Sequence, residues 1–333
     1  MKAVVLVGGF GTRLRPLTLG VNKQMLPVVD RPMIERVLAG LAAHGVTDVV
    51  LSLGYAPDAF VDAYPDRTCA GVHLEFAVEA EPLDTAGAIR FAATEAGVDE
   101  TFLVVNGDVL HDVDVSTVWR THHERGAEGT ITLTPVDDPS RYGVVPLDAD
   151  GRVEAFIEKP PVGEAPTNWI NAGIYVLEPS VLGRIAPVGK VSIERTTFPA
   201  MVADGTLHGV QSDAYWIDAG TPATYLQAQL DLIDGTRSEV AAAIGPDVSV
   251  DGVVDRSVVM VGASVGEAAS VVRSVLLPGA IVEKGVRVED SIVGTGARVG
   301  EGSSLTDLCV LGDGVVVEPG THLVGARVPD PDA

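Results

Sequence analysis

Apolar residues return at every sixth position along the last part of this chain, and few folds accommodate such a repeat. Val259, Val265 and Val271 make one triplet, and Leu276, Val282 and Val288 the next. Val293, Val299 and Leu305 follow, then Leu311, Val317 and Leu323. Successive triplets begin 17, 17 and 18 residues apart, so three hexads make one coil. Glycines such as Gly262, Gly279, Gly285 and Gly296 fall between the hexads, where tight corners need positive φ. The pattern predicts a left-handed parallel β-helix over residues 244–328. An acyltransferase working through such a helix would want a histidine on a coil face, and this stretch holds only His322. It reads instead as a packing module through which copies of the chain associate into a homo-oligomer.

Residues 1–235 follow a different pattern. Residues 3–7, 48–53 and 102–105 are apolar runs, broken only by Asp48 and Ser52, as expected of strands covered on both faces. Between the first two, Met33, Ile34, Val37, Leu38 and Leu41 lie at helical spacing. This βαβ order predicts an α/β, Rossmann-like, mostly parallel sheet. Ligands of such sheets sit beyond the carboxyl ends of the strands.

With 333 residues, 46% of them hydrophobic, the chain can bury a core in each of two domains. No apolar run reaches membrane length and none resembles a targeting segment, so a cytoplasmic protein is expected. Cys69 and Cys309 lie far apart and fit no metal or redox spacing. The formal charge is −23, with 5 Lys against 18 Arg. Such acidity disfavours nucleic acid and anionic membranes as partners. It also means that any phosphate site must be built locally from a few cations.

Directly after the first apolar run comes Gly8-Gly9-Phe10-Gly11-Thr12-Arg13-Leu14-Arg15-Pro16-Leu17-Thr18. Close-set glycines let backbone N–H groups approach phosphate oxygens. The loop ends in Gly-Thr-Arg where a P-loop needs Gly-Lys-Ser/Thr, and Leu14 stands where a dinucleotide fingerprint needs its third glycine.

The longer string, continued by Asn22-Lys23-Gln24-Met25-Leu26-Pro27-Val28, closely resembles the signature of the sugar-1-phosphate nucleotidylyltransferases. The resemblance extends through Glu81-Pro82-Leu83-Asp84-Thr85-Ala86-Gly87, Asn106-Gly107-Asp108, Glu158-Lys159-Pro160, Asn171-Ala172-Gly173 and Trp216-Ile217-Asp218-Ala219-Gly220. These blocks span about 220 residues in family order. A GT-A-like catalytic domain followed by a β-helix is also a family habit.

The resemblance implies that an NTP and a sugar 1-phosphate give an NDP-sugar and pyrophosphate. It makes Arg13, Lys23 and Lys159 the catalytic cations. Arg offers a planar fork to phosphate oxygens and Lys a compact point charge. Nucleotide contacts are implied for Gly8, Gly9, Gly11, Thr12, Arg13, Glu81, Asp84, Thr85 and Gly107. Lys159 would meet the sugar's phosphate, while Glu158, Asn171 and the backbone at Gly143 hold its hydroxyls. Asp108 follows the run 102–105 through Asn106-Gly107, and Asp218 follows Tyr215-Trp216-Ile217, again a short β-type run. A lone Asp there often caps a helix; a pair meeting phosphates makes a Mg²⁺ site.

Asp84 departs from the family, which usually has glycine there. An added carboxylate would narrow the pocket, repel phosphate or accept hydrogen bonds from a base such as guanine. Glu79 to Leu83 and the Ser192-Ile193-Glu194 block look most like mannose-1-phosphate guanylyltransferases, whereas residues 22–33 look like glucose-1-phosphate thymidylyltransferases. GDP-mannose synthesis from GTP is the favoured expectation, and dTDP- or UDP-glucose synthesis the alternative. A regulatory subunit that binds nucleotide sugars without turnover is a further reading, and only Asp84 speaks for it.

Overall fold

A computed structural model of the protein describes residues 1–54 and 56–330. The chain divides into two compact units: Met1–Gly9 with Val37–Trp216, and Phe10–Arg36 with Ile217 onward. Compactness thus cuts the chain elsewhere than the change of sequence pattern near residue 235. The segment that follows the first strand packs in the unit of the β-helix.

In the first unit, β1 (Lys2–Leu6), β2 (Asp48–Leu53), β3 (Val72–Val78) and β4 (Phe102–Asn106) run parallel in the order β3-β2-β1-β4. Ala3, Val4 and Val5, and Phe102 through Val105, have no exposed surface. That two-sided burial is what their unbroken apolar runs predict. The helix α1 (Met33–Ala43) buries the five apolar residues spaced for it. A second helix, α2 (Asp84–Glu95), packs its Ala- and Ile-rich face over β1 and β2.

Beyond β4 the sheet turns mixed. The strands β5 (Gly129–Pro135), β6 (Gly143–Val144) and β7 (Ile157–Glu158) precede the long β8 (Trp169–Leu177). Antiparallel β8 pairs with β4, β5 and β6, and β6 pairs in turn with β7. The register of β8 shifts between Asn171 and Tyr175. Gly173 sits in that irregularity at φ 75°, where an added Cβ would lie 2.5 Å from the Asn106 amide nitrogen. Only glycine meets both demands.

In the second unit, the helix α3 (Pro222–Asp234) holds the 10–36 segment by its backbone. Tyr225 and Gln229 both donate to the Pro27 carbonyl, and Gln229 accepts from the Val29 amide at 2.6 Å. The β-helix follows as three five-stranded parallel sheets. Its core is the hexad set: Val259, Val265, Val271, Leu276, Val282 and Val288 are at most 1% exposed. This arrangement is that of the expected left-handed β-helix.

A second ladder runs inside the coils. Ser257 accepts from the Ser274 amide, Ser274 from Ser291, and Ser291 from Cys309, at 3.0, 3.0 and 3.2 Å. Each hydroxyl also donates two residues back along its own chain, to a carbonyl of Asp255, Val272 or Glu289. Cys309 closes the series, its thiol accepting from the Ala326 amide at 3.4 Å. These buried side chains satisfy main-chain groups at the coil corners. Among the described residues no helix is long and apolar enough to cross a membrane.

Removing one rung should therefore cost more than one average hydrogen bond. Ser274→Ala orphans the buried Ser291 amide and is expected to lower unfolding stability by about 1–3 kcal/mol. Urea denaturation measures this, and an unchanged midpoint would show that the ladder contributes nothing. Cys309→Ser, which only exchanges one acceptor for another, should fold normally.

Candidate functional site

The strand order reverses between β1 and β4, and ligands of open α/β sheets bind at such a point, beyond the carboxyl ends. Gly8-Gly9 follow β1, and Gly107-Asp108 follow β4. The Gly107 amide donates to the Leu6 carbonyl at 3.0 Å. A Cβ on Gly107 would stand 2.7 Å from a Val7 methyl, so this turn excludes every larger residue. On the other side of β1, a Cβ on Gly54 would come within 2.9 Å of the Gly8 carbonyl oxygen. Asp108 itself is half-buried.

The 79–83 loop is braced by Glu79, which the motif contains but which carries no expected role. Its nearly buried carboxylate accepts from the Ser52 hydroxyl at 2.9 Å and the Leu83 amide at 3.0 Å. Glu81 lies exposed on the loop so formed.

Asp84 opens α2 at φ 62°, the left-handed region. The family's glycine at this position thereby acquires a backbone reason. Asp and Asn tolerate that conformation best after glycine, because their short side chains bond locally. Here the exposed Asp84 carboxylate accepts from the neighbouring Thr85 amide at 2.8 Å. The Thr85 hydroxyl faces inward: it donates to Glu194 at 2.7 Å and accepts from the Ile193 amide at 2.9 Å. It therefore ties α2 to the 192–194 turn.

The expected sugar-phosphate residues do come together. Gly143 on β6 is the register partner of Glu158 on β7, and the next residue, Val144, pairs with Ile170, adjacent to Asn171. A Cβ on Gly143 would lie 2.6 Å from the Phe156 ring and 3.2 Å from a Glu158 carboxylate oxygen. Lys159 adopts φ 52°, costing roughly 1–2 kcal/mol for a non-glycine residue. Its amide is held by the Tyr142 carbonyl at 3.0 Å, and its largely exposed ammonium lies 3.2 Å from Glu158.

Asn171 donates to the Tyr175 hydroxyl at 2.9 Å and accepts from the Gly173 amide at 3.0 Å. Burial pushes the Tyr175 phenol far up, so it stays neutral and can accept that bond. Asn171 is thus fixed in orientation with one N–H and one lone pair beyond these two bonds. Trp216, whose indole donates to the Ala172 carbonyl at 2.8 Å, packs edge-on against Tyr142 beside this group.

The second unit carries the remaining cations. Gly11 at φ 61° precedes the short 3₁₀ turn Thr12–Leu14, which exposes Thr12 and Arg13. A Cβ on Gly11 would lie 3.2 Å from that of Lys23, so the two cation-bearing stretches pack together there. Lys23 begins another 3₁₀ turn, capped by Asn22. Arg13 approaches Asp218 at 3.7 Å, and Asp218 also accepts from the Gly220 amide at 2.8 Å. A Cβ on Gly220 would fall 2.7 Å from both Arg13 and Asp218. This glycine had no expected role, although its place directly after Asp218-Ala219 is the signal that could have found it. Asp218 ends a strand, Trp216–Asp218, rather than following one. With Arg13 largely exposed, the ion pair adds little stability.

Asp108, in the first unit, and Asp218, in the second, each offer hard carboxylate oxygens of the kind that divalent cations such as Mg²⁺ take. One oxygen of Asp218 is already oriented by the Gly220 amide.

The backbone at Asp84 can be checked directly. Asp84→Ala should lower stability by about 1 kcal/mol relative to Asp84→Gly, because alanine's Cβ is disfavoured in that left-handed conformation and glycine has none. Equal thermal midpoints for the two variants would deny that residue 84 is strained.

The chain is similar to known proteins in both of its parts. A nucleotidyl transferase family model matches residues 2–235, and a model of the GMPPB C-terminal domain matches 236–331. A mannose-1-phosphate guanyltransferase of Aspergillus oryzae is 46% identical over 232 residues, covering 68% of this chain and 62% of the relative. A mannose-1-phosphate guanylyltransferase of Mycobacterium tuberculosis is 41% identical, covering 71% and 65%. The matched region thus spans less than two thirds of either relative. Among solved structures, HddC from Yersinia pseudotuberculosis is similar, with a TM-score of 0.60 and 31% identity over 68% of this chain and 97% of that one. HddC has also been solved in complex with GMP-PN. The chain belongs to the nucleotidyl transferase family.

Proposed function

We propose that this protein transfers the guanylyl group of GTP to mannose 1-phosphate, releasing pyrophosphate and forming GDP-mannose. The observation that carries the reading is the grouping of Gly143, Glu158 and Asn171 on three adjoining strands, with Lys159 directly after Glu158. Neutral and anionic acceptors, a donor amide and one cation fit a polyhydroxylated phosphate monoester. The identity to mannose-1-phosphate guanylyltransferases supports the choice of sugar and base.

The second pKa of a sugar phosphate is about 6, so its oxygen is ionised at neutral pH and needs no general base. That oxygen attacks the α-phosphorus in line, and the bond to pyrophosphate breaks. Arg13 and Lys23 neutralise the triphosphate, and Lys159 holds the attacking phosphate against the mutual repulsion of the substrates. Backbone groups at Gly8, Gly9, Gly11 and Gly107 allow the nucleotide to approach the main chain closely, with Thr12, Glu81, Asp84 and Thr85 around it. Asp108 and Asp218 are assigned to Mg²⁺, which when bound supplies charge neutralisation on the α-phosphate and leaving group. GTP as substrate fits a cytoplasmic setting. The exposed Val253, Val316 and Val324 on the β-helix support self-association through that domain.

A pyrophosphate-release assay crossing GTP, dTTP and UTP with mannose-, glucose- and N-acetylglucosamine-1-phosphate tests the substrate pair. The highest kcat/KM is expected for GTP with mannose 1-phosphate; a preference for dTTP or UTP with glucose 1-phosphate would replace this reading. Asp108→Asn and Asp218→Asn should each lower turnover by about a hundredfold or more, and chelation should abolish it. Near-normal Mg²⁺-dependent rates in either variant would remove that aspartate from the metal site. Gly143→Ala, which drives a methyl toward Phe156 and Glu158, should raise KM for the sugar phosphate and leave KM for GTP unchanged. A rise in both would place Gly143 outside the sugar subsite.

A further inference from the structure

The stretch that carries Arg13 and Lys23 packs in the same compact unit as the β-helix. Its hydrogen bonds there are specific. One guanidinium nitrogen of Arg327 donates to the carbonyls of Arg13 and Arg15, at 3.2 and 3.4 Å. Bonds within the turn occupy other oxygens: Leu14, Arg15, Leu17 and Leu19 donate to Gly11, Thr12, Leu14 and Pro16. Arg327 therefore takes up the two carbonyls that the turn's own pattern passes over.

The coil that presents Arg327 is itself fixed. Arg327 pairs with Val310, and the Gly312 amide donates to the Val328 carbonyl at 2.7 Å. Pro16 rests on this coil, since a Cβ on Gly312 would come within 3.2 Å of the Pro16 Cβ. Further along the segment, Arg31 and the buried Arg36 both bind Glu239, in the stretch between α3 and the β-helix. Arg36 also donates to the Val28 carbonyl at 2.8 and 2.9 Å. The C-terminal half thus grips the Arg13 loop at its start and the hairpin after Lys23 at its end.

We propose that Arg327 is a positioning residue for nucleotidyl transfer: it sets the backbone from which Arg13 is offered to the triphosphate. The β-helix then acts on nucleotide binding through its last described coil. This inference rests on the assignment of Arg13 to the triphosphate. Neutralising Arg327 should loosen the loop without disturbing the residues that meet the sugar phosphate.

The full-length protein is compared as wild type, Arg327→Ala, Arg327→Lys and Arg298→Ala. The last removes an exposed β-helix arginine paired with Glu283, and serves as a control. For Arg327→Ala, the expected result is a rise in KM for GTP of about tenfold, from two lost charge-assisted bonds. KM for mannose 1-phosphate and the thermal midpoint should stay near wild type. Hydrogen exchange of peptides covering residues 11–19 should quicken about tenfold in the same variant. Arg327→Lys should recover part of both effects, and Arg298→Ala should show neither. Unchanged exchange, unchanged KM for GTP, or an equal rise in both KM values would overturn the proposal. If the wild type turned over no NTP and sugar-phosphate pair, the guanylyl-transfer reading would fail on that ground alone. The exchange data, which need no substrate, would then decide whether Arg327 holds the loop.

Discussion

In the proposed reaction, repulsion between two phosphorylated substrates governs what the protein must build, and its own net charge of −23 sharpens the problem. Only fixed, local cations can offset such a field. Two of the proposed cations, Lys159 and Arg13, are held by their backbone rather than by a strong ion pair. Lys159 sits on a strained residue fastened to Tyr142, and Arg13 projects from a turn whose carbonyls are bound by Arg327. Their head groups remain exposed, with only loose carboxylate contacts at 3.2 and 3.7 Å. Weak existing pairs leave positive charge to be engaged by phosphate, whereas a tight buried pair would have consumed it.

The same logic explains where the glycines fall. Gly107, Gly143 and Gly220 each stand where a Cβ would strike an assigned site residue or the strand beside it. Their role is close approach, since none of the three has a positive φ. Gly11 differs, combining a left-handed backbone with contact to Lys23. Asp84 and Lys159 adopt left-handed backbone without being glycine, and their side chains remain exposed.

Much of the fold was legible in the sequence because burial leaves a period. Apolar runs located three of the four parallel strands, and the hexads located the coils, whereas β3, where polar residues interrupt the apolar ones, escaped notice. The family resemblance also grouped Gly143, Glu158, Lys159 and Asn171, which the register brings near one another. Less was visible wherever a residue acts through the main chain. Glu79 bracing a loop, Ser257, Ser274 and Ser291 bonding between coils, and Arg327 binding carbonyls leave no hydrophobic rhythm. The serines do share the 17-residue spacing of the coils, a signal hidden beneath the stronger apolar one. The compact grouping of residues 10–36 with the C-terminal half was equally hidden, because chain order places that segment next to β1.

A stack of near-identical coils can grow or shrink only by whole turns without breaking its internal pairing. Each added turn would carry the far end onward by one strand spacing, about 4.8 Å. An arginine whose contacts with the substrate loop already measure 3.2 and 3.4 Å could not follow such a displacement. Insertions of a coil before Val310 should therefore fold well yet leave the loop unsupported. If Arg327 positions the Arg13 loop as proposed, the number of turns in this domain is itself a dimension of the catalytic architecture.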